Sequence, residues 1–252
     1  MRDFEDRVVL VTGATSGIGR AAVLKLAARG ARVVAAGRRE DLGRELVAEV
    51  RAAGGDALFV PCDVTDATSV DGLFARIEAE YGRLDAAFNN AGTESDQTPV
   101  PDTPIETFDQ VFAINVRGTF LCLRHEMRIM RAQQRGAIVN TASIAGIIGY
   151  ANSAVYAASK HAIVGMTKSA GIEYPAQGVR VNCLLPGATR SAMSQRWADR
   201  MEGGETAMSE AIPMKRLGTP DEQASVAVFL LSDAAAYMTG ASVVVDGGLS
   251  VP

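Results

Sequence analysis

The amino-acid sequence predicts an α/β fold: one doubly wound domain over residues 1–252, with a parallel seven-stranded sheet and helices on both faces. Short β-branched runs alternate with longer helical segments along the whole chain, a pattern typical of strands joined by crossover helices. Neither a linker-like segment nor an internal repeat divides the sequence. With 252 residues, of which 48% are hydrophobic, the chain can bury a complete core.

The predicted strands are short apolar runs, and three of the six predicted helices end next to a glycine. In chain order the strands are residues 7–12, 32–36, 57–60, 84–88, 137–139 and 178–184, and Ser242–Val245. The first helix runs from a glycine-rich turn to Arg29, and the others are residues 41–53, 69–81, 105–131, 153–174 and 220–232.

The first strand runs into residues 13–19, GATSGIG, and then into the helix that Gly30 ends. Glycines let the backbone approach a phosphate closely, and the amino end of a helix offers N–H donors and a favourable dipole. The spacing G-x-x-x-G-x-G departs from the G-x-G-x-x-G fingerprint. We interpret the turn as a nucleotide cradle, with an ordinary tight turn as the alternative. Its candidate binding residues are Gly13, Thr15, Ser16, Gly17, Ile18 and Gly19.

Gly37, Arg38 and Arg39 follow the second strand, where a dinucleotide fold selective for NAD usually carries an acidic side chain. A guanidinium group suits the geometry of a 2′-phosphate. We therefore expect NADP(H) to be the favoured cofactor and NAD(H) to be the alternative, with Arg38 or Arg39 at the phosphate. The simpler interpretation is a solvated pair of charges at the start of a helix.

Polar residues mark three further places. Asp63, after the third strand, either caps the next helix or hydrogen-bonds an adenine, and capping is the simpler expectation. Asn90, Ala91 and Gly92 predict a turn at the carboxyl edge of the sheet, against a bound cofactor. Asn115 lies in the middle of the fourth predicted helix, where asparagine is unfavourable, so we expect a polar reason for its presence.

Tyr156 and Lys160 lie four residues apart in an alanine-rich stretch that is predicted to be helical. Side chains at i and i+4 share a helix face, so the phenol and the ammonium group are expected to project into the same space. A neighbouring cation lowers the pKa of a tyrosine, which makes Tyr156 a candidate general acid or base. Ser143 follows the fifth strand, at the edge where open α/β sheets bind ligands. The alternative is a Tyr–Lys pair that only covers apolar surface.

Residues 188–217 form a methionine-rich segment with Gly203-Gly204 as a candidate hinge. We interpret this segment as a mobile substrate lid inserted in the domain. The alternative is a pair of helices packed on the surface. Its large apolar side chains are Met193, Trp197, Met201, Met208 and Met214.

The composition argues against several classes of partner. A net charge of −4 gives no electrostatic footprint for nucleic acid or an anionic membrane, and no apolar run approaches the roughly 20 residues that span a bilayer. The amino-terminal residues lack the apolar core of a signal peptide. Cys62, Cys122 and Cys183 are widely spaced in apolar runs, which indicates buried thiols with neither a disulfide framework nor a metal site. We expect a cytoplasmic protein without a nucleic-acid, membrane or metal partner.

Together these motifs resemble the short-chain dehydrogenase/reductase family, including its ketoreductase and alcohol dehydrogenase members, over nearly the whole chain. The matching pieces are TGATSGIG at residues 12–19, CDV at 62–64, NNAG at 89–92, Asn115, Ser143, YAASK at 156–160, Pro186-Gly187 and the terminal VVVDGG. The resemblance implies a Rossmann-like domain and an oxidoreductase that transfers a hydride between a nicotinamide and a carbonyl or secondary alcohol.

The resemblance also implies individual roles. Tyr156 would move the proton of the substrate oxygen. Lys160 would lower the pKa of Tyr156 and bind the nicotinamide ribose. Ser143 would orient the substrate oxygen, and Asn115 would anchor a relay water. Further cofactor contacts would come from the glycine-rich turn, Arg38, Asp63, Val64, Asn90, Ala91, Gly92, Pro186, Gly187 and Thr189. Family members are commonly tetramers, so we expect a homotetramer built on helices 105–131 and 153–174 and the last strand.

Other functions stay open at this point. One is a dinucleotide-binding regulatory protein without turnover, and another is an epimerase or dehydratase on the same scaffold. NAD-linked alcohol oxidation is open as the physiological direction. An alicyclic or aryl ketone, a 3-oxoacyl thioester and a sugar-like alcohol all fit the expected substrate surface. Glu94 is a candidate member of that surface, and the simpler expectation for it is a solvated acid on a loop. The residues of that surface are Glu94, Ile144, Ala145, Tyr150, Asn152, Met193 and Trp197.

Overall fold

The computed structural model describes residues 3–200 and 202–251 and contains a sheet of seven parallel strands. Met201, one of the methionines of the predicted lid, lies outside the described residues. The strands are β1 Val8–Thr12, β2 Arg32–Gly37, β3 Asp56–Pro61, β4 Ala86–Asn89, β5 Gly136–Thr141, β6 Val179–Pro186 and β7 Ser242–Val245. Their order across the sheet is β3-β2-β1-β4-β5-β6-β7. The predicted fold class is confirmed.

The described helices are α1 Gly17–Ala28, α2 Glu40–Ala52, α3 Ala67–Tyr81, α4 Ile105–Phe112, α5 Gly118–Gln133, α6 Ala154–Gly171, α7 Ala192–Ala198, α8 Gly204–Ala211 and α9 Pro220–Leu231. Sequence signals explain several of their ends. Thr219 and Glu222 form a capping box at the start of α9, with Pro220 at its first position. Gly82 ends α3 in the left-handed region, at φ +65°. Within the described ranges, every helix is too short or too polar to cross a membrane.

Helices cover both faces of the sheet. One buried cluster joins the strands to α1, α2 and α9, and a second joins them to α3, α5 and the end of α6. The side chains of β1 alternate between the clusters, because successive residues of a strand point to opposite faces. Val9 and Val11 lie in the first cluster, whereas Val8 and Leu10 lie in the second. This double burial explains why the strand sequences are continuous apolar runs.

Residues 105–131 are helical, as predicted, but the helix is not uniform. It divides into α4 and α5, joined by a π-helical turn at Ala113–Arg117. Asn115 lies in this turn, and its side chain explains the distortion. Asn115 Oδ1 accepts a hydrogen bond from the backbone N–H of Thr93 at 2.8 Å, and Nδ2 donates to the Thr93 carbonyl at 2.9 Å and to Ser159 Oγ at 3.0 Å. π-turns of this kind are frequent at functional sites.

The segment 188–217 contains two short helices, α7 and α8, with both hinge glycines between them. Gly203 and Gly204 adopt φ values of +82° and +55°, a conformation that favours glycine. A separate small cluster holds the segment together and includes Met208, Ile212 and Leu217. The predicted helical composition of the segment is therefore met, whereas its motion as a lid stays a prediction.

Phe88 in β4 is fully buried in the first cluster, between strands on both sides. We expect Phe88→Ala to lower the free energy of unfolding by about 3–5 kcal/mol, because the substitution removes a buried ring and leaves a cavity. Urea unfolding of the purified protein measures the loss.

Phe229→Ala is the matched control, because Phe229 lies on α9 with 41% of its surface exposed. Its loss should be distinctly smaller. Equal losses for the two variants would contradict the assignment of Phe88 to the core.

Candidate active site

The loops that follow β1 and β4 leave neighbouring strands at the point where the strand order reverses, and a crevice forms there in folds of this type. Thr12 Oγ1 accepts hydrogen bonds from the backbone N–H groups of Asn90 and Ala91, both at 3.1 Å. Asn90 Nδ2 donates to the carbonyls of Thr12 and Gly13, both at 3.3 Å. These bonds hold the glycine-rich turn against the NNAG turn.

The two turns approach so closely that side chains are excluded between them. A Cβ on Gly13 would lie 2.8 Å from Cα of Ala91, and one on Gly19 would lie 2.4 Å from the Gly13 carbonyl oxygen. Gly13 and Gly17 also have φ values of +62° and +53°. Because α1 begins at Gly17, its first N–H groups have no acceptor within the helix and favour an anion. The predicted nucleotide cradle is therefore formed by backbone, with Ile18 packed on the core behind it.

Arg39 joins the end of β2 to the glycine-rich turn. Its guanidinium donates to Thr15 Oγ1 at 2.8 Å and to Ser16 Oγ at 2.7 Å. Arg38 is exposed beside it, and its charge helps to hold the pKa of the Asp63 carboxyl low. Arg39 thus brings to the turn a cation that residues 13–19 themselves lack.

The expectation that Asp63 caps the next helix is wrong. Asp66 is the N-cap of α3 and accepts from the backbone N–H of Thr68 at 3.0 Å. The Asp63 carboxylate instead accepts from the backbone N–H and hydroxyl of Thr65, at 2.9 and 2.8 Å. The backbone hydrogen bond is the main cause of its lowered pKa. Val64 is buried beside this loop, against Gly118 at the start of α5.

Tyr156 and Lys160 both lie on α6 and are buried, as their helical spacing predicts. Lys160 Nζ lies 5.6 Å from the centre of the Tyr156 ring and donates to the carbonyl of Thr141 at 3.1 Å. The Ser143 hydroxyl is close enough to Tyr156 to lower the pKa of the phenol by hydrogen bonding. The interpretation of the pair as a cover for apolar surface does not account for this arrangement, because the polar ends of both side chains are inside the protein.

The expectation that Lys160 lowers the pKa of Tyr156 is wrong for this structure. Burial raises the pKa of the phenol to about 12, and the hydrogen bond with Ser143 only partly offsets that effect. Burial also lowers the pKa of Lys160, to about 8. Loss of hydration is the largest cause of both shifts, and the phenol is protonated at neutral pH.

Gly92 lies between Asn115 and Lys160. A Cβ at this position would be 3.3 Å from Asn115 Oδ1 and 3.5 Å from Lys160 Nζ. The π-turn of Asn115 and the NNAG turn are thus brought to the candidate catalytic lysine. The amide of Asn115 binds Thr93 and Ser159, so its side chain positions these segments, and its part in a proton relay stays a prediction.

Residues 186–189 close the same region from the end of β6. Ser143 Oγ lies 3.5 Å from the Pro186 carbonyl, which brings this segment to the candidate catalytic groups. Gly187 is packed on Asp246, since a Cβ there would lie 2.6 Å from Cβ of Asp246. Thr189 Oγ1 donates to the Gly187 carbonyl at 3.1 Å.

The expectation of a solvated acid at residue 94 is wrong. The Glu94 side chain is only 7% exposed, and its Oε1 accepts from Arg196 Nε on α7 at 2.6 Å. Glu94 is close enough to raise the pKa of Tyr156 further by charge repulsion. Trp197, the next residue of α7, meets the Tyr156 ring edge-on, with 6.0 Å between the ring centres. Glu94 and Trp197 are therefore brought together beside the phenol.

The other predicted substrate residues are placed unequally. Tyr150 and Ala145 pack in the small cluster around Tyr156, and Ile144 is buried. Asn152 is exposed, and its carbonyl accepts from the Thr98 backbone N–H at 2.9 Å, which is a contact between loops. Met193 is half-buried on α7.

Cys62, Cys122 and Cys183 are free and buried, as predicted. Among residues 3–200 and 202–251, no group of three or more His, Cys, Asp or Glu side chains could hold a metal ion.

Comparison with known proteins decides the family. A family model described as enoyl-(acyl carrier protein) reductase matches residues 13–250. The crystal structure of a short-chain type dehydrogenase/reductase from Mycobacterium marinum is 35% identical in sequence and superposes with a TM-score of 0.94, over 99% of this chain and 98% of that one. The chain belongs to the short-chain dehydrogenase/reductase family. It is accordingly an oxidoreductase.

Other members of this family share more of the sequence. A 2,5-dichloro-2,5-cyclohexadiene-1,4-diol dehydrogenase from Sphingobium indicum is 42% identical over 251 residues, which cover 99% of both chains. A cis-4-hydroxycyclohexanecarboxylate dehydrogenase from Sinomonas cyclohexanicum is 41% identical over 248 residues, which cover 97% of both chains. The crystal structure of levodione reductase has a TM-score of 0.94 and 38% identity, and each chain is 98% covered.

Sequence reasoning missed a buried polar chain behind the site of this short-chain dehydrogenase/reductase. Asn89 Nδ2 donates to Glu126 Oε2 at 2.8 Å and to Asn140 Oδ1 at 3.0 Å, and Asn140 Nδ2 donates to Thr167 Oγ1 at 3.0 Å. Glu126 is fully buried on α5, and burial raises the pKa of its carboxyl to about 8. Its position was detectable, because it follows Cys122 by four residues on the apolar face of the helix.

We expect the Glu126 carboxyl to make the fold less stable as pH rises. Its pKa in the folded state is about 8, above the ordinary value of 4.5, so the folded protein holds this proton more tightly than the unfolded chain. The contribution is fully present below about pH 4.5 and is lost as pH rises to about 8, by at most roughly 1.4 kcal/mol per pH unit. Glu126→Gln should remove this loss, which urea unfolding at several pH values measures.

The exposed Glu78→Gln on α3 is the control for the loss of one carboxylate. The stability of Glu126→Gln relative to wild type should increase between pH 5 and 8 and then level off. Parallel profiles for the two proteins would show that Glu126 does not hold a proton in the folded state.

Proposed function

We propose that this enzyme transfers a hydride between a nicotinamide cofactor and a carbonyl or secondary alcohol on a six-membered carbocycle. One observation carries the proposal: Tyr156, close to Ser143 and next to Lys160, lies at the same sheet edge as the glycine-rich cradle. The names of the two related dehydrogenases, which specify a cyclohexadiene diol and a hydroxycyclohexanecarboxylate, support an alicyclic substrate among the classes that the sequence allows.

The residues at the crevice fit a dinucleotide. A side chain at Gly13 or Gly19 would clash with neighbouring atoms, so only glycine fits at these two positions of the turn. The first N–H groups of α1 suit a diphosphate. Thr15, Ser16, Gly17 and Ile18 would complete that contact. Asp63, Val64 and residues 90–92 would border the adenosine, and residues 186–189 would border the nicotinamide. When bound, the nicotinamide supplies or accepts the hydride.

Tyr156 would protonate the substrate oxygen as the carbonyl carbon receives the hydride, so that the C=O π bond breaks and a C–H and an O–H bond form. The raised pKa, about 12, keeps the proton on the phenol at neutral pH, so that Tyr156 would be a proton donor for a carbonyl there. Ser143 would orient the same oxygen. Lys160, positively charged below its pKa of about 8, would stabilise the phenolate that remains and bind the ribose.

We expect Tyr156→Phe to retain the fold and cofactor binding but to lose at least about two orders of magnitude in turnover, the usual range for a lost general acid. Steady-state NADPH oxidation with cyclohexanone as substrate, together with NADPH binding by fluorescence, measures both.

Tyr81→Phe at the end of α3 is the control, because it removes a hydroxyl far from the crevice. Near-normal turnover in Tyr156→Phe would remove this residue from the mechanism. A protein that binds NADPH but neither oxidises it with any ketone nor reduces NADP⁺ with any alcohol would instead be the regulatory protein without turnover.

NADP(H) is our proposed cofactor, with NAD(H) as the alternative. Three observations support this preference: Gly37 replaces an acidic residue, Arg38 is exposed next to it, and Arg39 places its charge on the hydroxyls of the glycine-rich turn. The Arg39 guanidinium is held by these hydroxyls, so Arg38 is the better candidate for a 2′-phosphate.

Titration of wild type and Arg38→Ala with NADPH and NADH tests this assignment. Wild type should bind NADPH more tightly, and the variant should lose about 10–100-fold in NADPH affinity without a change for NADH, because one charge-assisted contact is lost.

Arg44→Ala is the control, since this arginine is exposed on α2 and pairs with Glu40 and Asp41. If wild type binds NADPH and NADH equally well and Arg38→Ala changes neither affinity, Arg38 is only a surface charge. That result would point to NAD-linked alcohol oxidation.

Three further proposals concern the whole protein. Residues 188–217 would act as the substrate lid within a single domain of residues 1–252. A homotetramer is supported by apolar side chains exposed on α4 and α5, among them Ile105, Phe108 and Phe120. A cytoplasmic location stays a prediction.

A further inference from the structure

Glu94 has one carboxylate oxygen that no part of the described chain binds. Its Oε1 is paired with Arg196, whereas its Oε2 is buried without a hydrogen-bond partner in residues 3–200 and 202–251. An ionised carboxylate needs several donors, and a buried oxygen without one is costly. The Glu94 side chain is more than nine-tenths buried, so bulk water does not supply those donors. This arrangement is expected of a group that awaits a ligand.

Trp197 gives a second, independent observation at the same place. Its indole Nε1 is a buried donor for which the described residues supply no acceptor. The ring of Trp197 meets the Tyr156 ring at an angle of 80° and packs in the cluster with Ala145 and Tyr150. Glu94, with its unpaired acceptor, is thus close enough to Tyr156 to affect the phenol by charge, and Trp197, with its unpaired donor, contacts the same ring.

We propose that Glu94 Oε2 accepts a hydrogen bond from a second hydroxyl group on the substrate ring, and that Trp197 Nε1 donates to the oxygen of that hydroxyl. This inference rests on the proposed function and names its substrate class: six-membered rings that carry a hydroxyl in addition to the reacting carbonyl or alcohol. A hydroxyl both donates and accepts, and so satisfies both orphan groups.

Other ring substituents fit these two groups less well. A second carbonyl has no proton for Glu94 and would leave the carboxylate oxygen unsatisfied. A ring carboxylate would bring a negative charge next to Glu94, which close like charges disfavour. An unsubstituted ring would satisfy neither group. The order of preference is therefore hydroxyketone first, and diketone, ketoacid and plain ketone after it.

A purely structural role for Glu94 is the competing explanation, because its bond with Arg196 also ties the loop after β4 to α7. Asp96 and Arg200 make a second ion pair at 2.9 Å, between the same loop and the turn that follows α7. The Asp96 side chain is 74% exposed, so it is not available to a buried substrate. Asp96→Asn is thus a matched control: it weakens an ion pair in the same region, but the acid that it replaces is exposed whereas Glu94 is buried.

The experiment measures kcat/KM of wild type, Glu94→Gln and Asp96→Asn for 4-hydroxycyclohexanone, cyclohexanone and cyclohexane-1,4-dione, with NADPH and with NADH. Wild type should prefer the hydroxyketone over cyclohexanone by about tenfold or more, the value of one good hydrogen bond to a charged group. In Glu94→Gln, Arg196 still needs an acceptor and keeps the amide oxygen, so an NH₂ donor replaces Oε2. The variant should lose the preference for the hydroxyketone and gain one for the dione, after correction for its two equivalent carbonyls.

Asp96→Asn should keep the wild-type order of substrates, even where its rates change. Trp197→Phe is a second variant, which retains an aromatic ring and removes the donor. It should lower kcat/KM for the hydroxyketone and the dione relative to cyclohexanone, and so it tests the site even if Glu94→Gln does not fold.

Two results would overturn the inference and leave the proposed function intact. One is a wild-type enzyme that reduces cyclohexanone as well as the hydroxyketone. The other is a Glu94→Gln variant that slows all three ketones by the same factor, as Asp96→Asn would if both acids only tie the lid. A wild-type enzyme that reduces none of the three ketones with either cofactor would sink the proposed function, and the inference with it.

Discussion

Hydrogen bonds between the turns that follow β1 and β4 join the ends of these two strands. The bonds are made by Thr12, Gly13, Asn90 and Ala91. The contact is possible only while the strands keep their register, in which Thr12 is opposite Asn89. That register depends in turn on alternating burial along β1. The hydrophobic core thus acts on the site through strand register, and the shape of the backbone cradle follows from it.

A second set of buried hydrogen bonds stabilises the other side of the site. Asn89 and Asn140, at the ends of β4 and β5, bind each other and reach Glu126 on α5 and Thr167 on α6. Lys160 is held by a carbonyl of the same strand end as Asn140. Because buried polar groups are costly unless they are paired, these bonds favour one arrangement of sheet and helices. The candidate catalytic groups on α6 therefore lie on a rigid wall.

The sequence carried enough information for the fold, the cradle and the spacing of Tyr156 and Lys160, because strand periodicity, glycine-rich turns and helical spacing are local. It was insufficient where a distant partner decides. The π-turn at Asn115 depends on Thr93 and Ser159, and the burial of Glu94 depends on Arg196, about a hundred residues away. The high pKa of Tyr156 depends on total burial, which no local pattern reports. The capping role expected of Asp63 belongs to Asp66, three residues on, which the backbone geometry of the loop decides.

The wall opposite α6 is held more loosely. The loop after β4 is joined to α7 by Glu94–Arg196 and to the turn after α7 by Asp96–Arg200. Because both partners of the second pair are exposed, that pair contributes little to stability. Segments with few buried contacts are those that open at low cost, as a lid must. The loop after β4 and α7, which we propose to select the substrate, can therefore change in sequence without disturbing the proton donor or the cradle. Relatives that are about 40% identical and are named for different ring alcohols are expected from such a division.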